Sequence, residues 1–192
     1  MSDLDGPSCR ATARRGDLAT AFGRLHRTTE IPYGDRGHAL VTEAVLRRCD
    51  PDAIELRRIV VESTVWVALR GPSDAPPAPL AWRRGLLWLR LGQSQWLLDQ
   101  AVTYLSTRRS GDELLVNQQL VRADLADAAT DHAVVEAYLD DPYATPDLHT
   151  VLTRTDRSLL RLLGGSGFLG DGPGQAAYLS ELLADVYGGG PR

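Results

Sequence analysis

From Leu80 to Thr107 the chain runs for 28 residues without a proline, its apolar residues recurring at helical spacing. A helix of that length spans roughly 40 Å. Its middle, Leu86-Leu87-Trp88-Leu89-Arg90-Leu91, is apolar nearly all round, which a water-soluble helix tolerates only with neighbours on several sides. Thirty residues of the chain are Leu, against a small β-branched share, so those neighbours are expected to be helices as well.

The downstream sequence supplies them. Ser110-Gly111 breaks the first helix, and a second is expected from about Asp112 to Asp140, with Leu115, Leu120, Leu125, Ala129 and Ala133 turned to the core. Asp141 to Pro146 reads as a turn. Asp147 is placed to cap a third helix through Leu163, with Leu148, Leu152, Leu159 and Leu163 at helical spacing. A glycine-rich loop, residues 164–174, then precedes a fourth helix from about Gln175 to Tyr187. Short joins between long helices imply an up-down four-helix bundle over residues 80–190.

Upstream, Gly71 to Pro79 carries four prolines in nine residues and is expected to be a linker. Residues 1–70 form a separate, partly disordered segment in this reading. Residues 1–15 look frayed; Asp17–Thr28 is a short helix with Leu18, Phe22 and Leu25 on one face; His38–Cys49 is another, with Leu40, Val41, Ala44 and Val45 inward. Ile59-Val60-Val61 and Thr64–Leu69 hold the concentrated β-branched residues and read as two short strands or a hairpin. The fold class expected is mainly α, a bundle with a small N-terminal α/β appendage.

Charge narrows the function. The net charge is −4, which argues against a dedicated nucleic-acid or anionic-membrane binder. All 21 basic residues are Arg, so no Schiff-base lysine is available. Cys9 and Cys49 are too few and too distant for a disulfide framework or a zinc knuckle. Met1 to Arg15 lacks the apolar centre of a signal peptide, and no stretch approaches a membrane span, so a cytoplasmic protein is expected. His26, His38, His132 and His149 show no metal-binding spacing. The seven acids between Ala123 and Asp147, with no intervening Arg, read as a solvated helix face. Gly165-Ser166-Gly167-Phe168-Leu169-Gly170 matches the dinucleotide pattern G-x-G-x-x-G, but a Leu-rich helical stretch precedes it and only 22 residues follow, too few for the strand that pattern needs. Arg108-Arg109 beside Gly111 either holds an anion or caps the preceding helix.

Two blocks of residues decide between those last options. The first holds Arg83, Gly92, Gln95, Asp99, Tyr104, Arg108, Gln119, Ala126 and Asp127; the second is Gly164-Gly165-Ser166-Gly167-Phe168, with Pro173 and Tyr187 beyond it. In this register the chain from residue 80 to 190 resembles the C-terminal helical domain of acyl-CoA dehydrogenases. The resemblance implies FAD as cofactor, shared across a subunit boundary: Arg108 at the pyrophosphate, Gln118 and Gln119 at the adenosine end, and Gly164 and Gly165 giving the backbone close approach. Arg161 stands where the family has a Gln before the Gly-Gly loop, and Arg83 would lie near the acyl-CoA pocket.

The departures bear on catalysis. Family chemistry removes an α-proton with a Glu that follows the Tyr after the fourth helix, or, in some members, precedes the first-helix Arg. Those positions here are Gly188 and Trp82, so no catalytic residue is assigned. The family's Phe-Gly turn is Gly111-Asp112, and the residue expected to be Thr beyond the Glu is Gly190. A complete member also has two further domains, much longer together than 79 residues. The resemblance therefore implies an accessory subunit that lends FAD contacts to a full-length dehydrogenase-like partner, or self-associates. Two alternatives stand beside it: a scaffold without flavin, and a stand-alone FAD-dependent oxidoreductase with a relocated base such as Asp185 or Glu181.

Overall fold

The computed structural model describes residues 5–26, 30–49, 52–139, 141, 145–169 and 172–188. Parts of the expected 141–146 turn, the last glycine of the Gly165–Gly170 pattern, and Gly190 lie outside them.

The chain opens with helix α1 (Gly6–Ala13), where an end was expected to fray. Asp5 caps it by accepting from the Ser8 N–H at 3.0 Å, and Pro7 sits in its first turn, where a missing N–H costs nothing. Helix α2 (Leu18–Leu25) follows, capped by Asp17, with Leu18, Phe22 and Leu25 buried as their spacing predicts. The stretch expected to be one helix over 38–49 divides into strand β1 (His38–Thr42) and a short helix, α3 (Glu43–Cys49). Thr42 makes the division, its hydroxyl accepting from the Val45 N–H at 3.3 Å and so starting the helix only beyond it. Strands β2 (Ile54–Val61) and β3 (Thr64–Arg70) form the expected hairpin, turning through Glu62 and Ser63, both at positive φ. β1 adds to it in the order β1-β3-β2, antiparallel throughout.

Helix α4 (Leu80–Ser106) is the long segment. Helix α5 (Gln119–Tyr138) begins seven residues later than expected, because residues 109–114 form a two-residue antiparallel ladder and Leu115–Asn117 a single 3-10 turn. Its buried stripe is Ala128, His132 and Val135; Leu120, Ala129 and Ala133 face out. Helix α6 (Thr145–Leu163) starts two residues before Asp147, which lies in its first turn. Leu148, Leu152, Leu159 and Leu163 are buried. A 3-10 stretch, Gly164–Phe168, leads to helix α7 (Gly174–Tyr187).

The clusters give the helix directions. Leu97 and Ala101 near the end of α4 pack with Ala128 of α5, Leu159 and Leu163 at the end of α6, and Ala177 at the start of α7. At the opposite end, Leu87 and Leu91 meet Val135 and Leu139 of α5's close and Leu148 and Leu152 of α6's opening. The arrangement is up-down-up-down.

A third cluster crosses from the bundle to the N-terminal segment: Leu86, Leu89, Leu179, Leu183 and Tyr187 pack with Phe22, Val41, Trp66 and Val67. The proline-rich stretch is held against this body, with the Ala78 N–H donating to the Tyr33 carbonyl at 2.6 Å. Helix α1 lies parallel along α4. A Cβ at Gly6 would stand 2.2 Å from Trp88, one at Gly92 2.3 Å from the Arg10 carbonyl, and one at Gly16 2.9 Å from Trp96. At Gly92 only glycine lets the two backbones approach this closely, and at Gly6 and Gly16 it makes room for the indoles of α4.

Candidate functional site

The two positions marked for a catalytic carboxylate come together in space. Trp82 opens α4 and Tyr187 closes α7, and their rings stand 4.4 Å apart, with Gly188 next in chain. Around Trp82 are His26 at 5.5 Å and Phe22 at 6.2 Å, and Phe22 meets Trp66 at 5.0 Å. All five rings are buried. Tyr187 is fixed at both polar valences: its hydroxyl accepts from the Leu40 N–H at 3.0 Å and donates to the Leu40 carbonyl at 3.2 Å. It thereby satisfies the groups that β1 turns away from β3. Burial raises the Tyr187 phenol above its ordinary value, so it stays neutral.

Arg83 is also engaged. Its guanidinium pairs with Asp35, and its Nε donates to the Ala78 carbonyl at 3.0 Å, tying the loop before β1 to the start of α4. It is held as a structural brace.

The residues assigned to cofactor contact gather at the other end of the bundle, where α4 and α6 end and α5 begins. Arg108 is exposed, its guanidinium 4.1 Å from the Tyr104 ring centre. Gln118 precedes α5 and Gln119 opens it, exposed, lining a cleft with Asn117, Arg122 and Ala123. Arg161 hydrogen-bonds Ser158 Oγ at 2.9 Å and lines a groove between α6 and α7. Gly164, at φ +55°, and Gly165 are exposed, and a Cβ at either would meet nothing within 4 Å. These groups share an end of the molecule, not one pocket. Among the described residues, no single pocket brings Arg108, Gln119 and Arg161 together.

What the sequence reading missed is a buried polar core. Arg90 is fully buried in α4, with Nε donating to Ser180 Oγ at 3.0 Å, Nη1 to His149 Nδ1 at 2.9 Å and to the His149 carbonyl at 3.1 Å, and Nη2 to Thr153 Oγ1 at 2.9 Å. One side chain thus joins α4, α6 and α7. Four residues on, Ser94 Oγ lies 2.7 Å from His132 Nε2 of α5. Asp156 of α6 is buried nearby, and burial pushes its carboxyl up to about 6 against the pull of Arg90 and a hydrogen bond from Ser94. Desolvation takes His132 down to about 4. By residue type this Asp, Ser and His could suggest a nucleophile and its base, but Ser94 is 0% exposed and no substrate reaches it. The signal was present as Arg90, Gln93 and Ser94 at positions i, i+3 and i+4 of an otherwise apolar stretch.

No group of three or more potential metal ligands occurs among the described residues, and no described helix is long and apolar enough to cross a membrane.

Comparison with known proteins agrees with this architecture. Residues 75–150 match the family described as acyl-CoA dehydrogenase, C-terminal domain. Among solved structures the fold is similar to a glutaryl-CoA dehydrogenase from Mycobacterium smegmatis in complex with FADH2: TM-score 0.55, 21% identity, 69% of this chain and 43% of that one. It is similar to the butyryl-CoA dehydrogenase of Megasphaera elsdenii, with a TM-score of 0.54, 14% identity, 72% of this chain and 45% of that one. A glutaryl-coenzyme A dehydrogenase in complex with glutaryl-CoA gives a TM-score of 0.51 at 14% identity, over 69% and 42%. At these identities the likeness is one of fold, and the chain spans less than half the length of these structures. No curated protein sequence matches it.

Proposed function

We propose that the chain is a non-catalytic helical subunit of an acyl-CoA dehydrogenase-type flavoprotein. It docks on a full-length flavin-dependent partner and lends FAD contacts from Arg108, Gln118, Gln119, Arg161, Gly164 and Gly165. The observation that carries this reading is the Trp82–Tyr187 ring contact. Where the resemblance calls for a carboxylate facing an acyl chain, the space is packed with Phe22, His26, Trp66, Trp82 and Tyr187.

The bound flavin would supply the hydride acceptor, and its ring would have to be held by the partner. This chain's residues have a narrower task. Arg108 offers a planar fork of donors to phosphate, and Gly164 and Gly165 leave room for the cofactor against the backbone. Docking is supported by α5, where Leu120, Val134 and Tyr138 are exposed on a helix with one narrow buried stripe.

The test is co-expression with full-length acyl-CoA dehydrogenases of the same genome. The chain alone should purify colourless, and the complex should carry flavin. Arg108→Gln should weaken FAD retention by the complex by about tenfold, the scale of one charge-assisted hydrogen bond. Stoichiometric FAD on the chain alone after desalting would contradict the proposal.

A further inference from the structure

We propose that the groove between α6 and α7 is a binding site for a small, multiply charged oxyanion, held by Arg36, Arg154, Arg157 and the imidazole N–H of His149. The groove encloses about 840 Å³. Arg154, Arg157 and Arg161 fall at i, i+3 and i+7, on one face of α6, and all three line it. Arg36 reaches it from the loop before β1. In a chain of net charge −4, four arginines against the carboxylates of Glu181 and Asp185 make a local basic concentration.

His149 is the independent observation. It lines the same groove and is buried. Its Nδ1 lies 2.9 Å from Arg90 Nη1. A guanidinium can only donate, so Nδ1 accepts and the ring proton is on Nε2. That Nε2–H has no hydrogen-bond partner. A buried donor without an acceptor is costly, and an oxyanion in the groove would satisfy it. Gly188 borders the same ring edge: a Cβ there would stand 3.2 Å from His149 Cδ2, the carbon bonded to Nε2. Glycine there places no side chain over that edge.

The arginines are free to respond. Arg157 pairs with Glu181 and Arg154 with Asp131 at 3.1 Å, but both arginines are largely exposed, and ion pairs in water hold their partners weakly. Arginine forks suit phosphate and carboxylate alike, so both sources are to be tried. Arg161 borders both this groove and the end assigned to the cofactor, but Arg36, Arg154, Arg157 and His149, which hold the anion, have no part in the flavin reading.

The test is titration of the purified full chain with pyrophosphate and, separately, citrate, following binding by calorimetry and the His149 Nε2–H by nitrogen-resolved NMR. Binding is expected to move that resonance, and the tighter anion names the source. Arg154→Gln with Arg157→Gln should weaken binding at least about tenfold, as losing two charge-assisted contacts implies. Arg122→Gln, outside the groove, should leave it unchanged. Should the double variant not fold, Arg36→Gln carries the same expectation. An unmoved resonance with both anions, or binding unaltered by the arginine variants, overturns the proposal.

Discussion

Three of the chain's four histidines are buried, and their titration gives the molecule a pH dependence of predictable sign. Desolvation lowers His26 and His132 to about 4 and His149 well below its ordinary value. Unfolded, each titrates near 6.5, so as pH falls through 6.5 the unfolded chain binds protons that the folded one refuses. Stability present above that pH is lost on the way to about 4, with His26 and His132 each costing about 2 kcal/mol at pH 5. Asp156 opposes them. Its raised carboxyl favours folding below the unfolded value of 3.8 and loses that contribution as pH rises through about 6. Three imidazoles outweigh one carboxyl, so the melting temperature should drop between pH 7 and pH 5. Circular-dichroism melts of wild type and His132→Gln should show a shallower drop in the variant; equal slopes would mean that His132 is not neutral in the fold. At this scale the sequence was partly legible. Leu148, Leu152, Leu159 and Leu163 announced their burial by spacing alone. The Trp82–Tyr187 contact did not, since it joins residues more than 100 positions apart that no local pattern connects.

Among the elements, α1 departs furthest from what the sequence suggested. Its residues lack an apolar stripe, and it is held by what α4 offers it. Gly92 admits the Arg10 backbone, Gln95 Oε1 accepts from Arg10 Nε at 3.0 Å, and Asp99 pairs with Arg14 at 3.4 Å, while Arg10 also pairs with Glu136 of α5 at 2.5 Å. Gly92, Gln95 and Asp99 are three of the residues that carried the family resemblance, and in this structure each contacts α1. The Cβ of Gly92→Ala would meet backbone, so α1 has to move as a whole. The expected cost is about 1–3 kcal/mol, the range of overpacked cores, with protease cleavage appearing first in residues 5–16. Chemical denaturation and limited proteolysis check it, and an unchanged midpoint would contradict the close approach. Element boundaries failed for physical reasons. Thr42 starts a helix where periodicity ran through it, the ladder over 109–114 delays α5, and the buried stripe of α5 falls one residue from the predicted face. One residue on a helix is about 100°.

At the scale of the whole molecule, the bundle, its up-down order and its resemblance to the dehydrogenase C-terminal domain were readable from the sequence, because long periodic helices and punctuating glycines are local signals. The third strand and the core shared by sheet and bundle were not, since both depend on pairings across the chain. That shared core is what shapes the functional account. Phe22 of α2, His26 just beyond it and Trp66 of β3 gather around the Trp82–Tyr187 pair, where the resemblance would place an acyl chain. On the proposed non-catalytic reading, neither a positioned carboxylate nor a place for the carbon acid exists there. Proton abstraction contributes only when base and substrate lie within about 3 Å of each other. The most direct measurement is acyl-CoA-dependent reduction of an artificial electron acceptor by the purified chain with added FAD and no partner protein, for wild type and Gly188→Glu. The account predicts no turnover from either; turnover by wild type would mean a working base and pocket in this chain, and would contradict it.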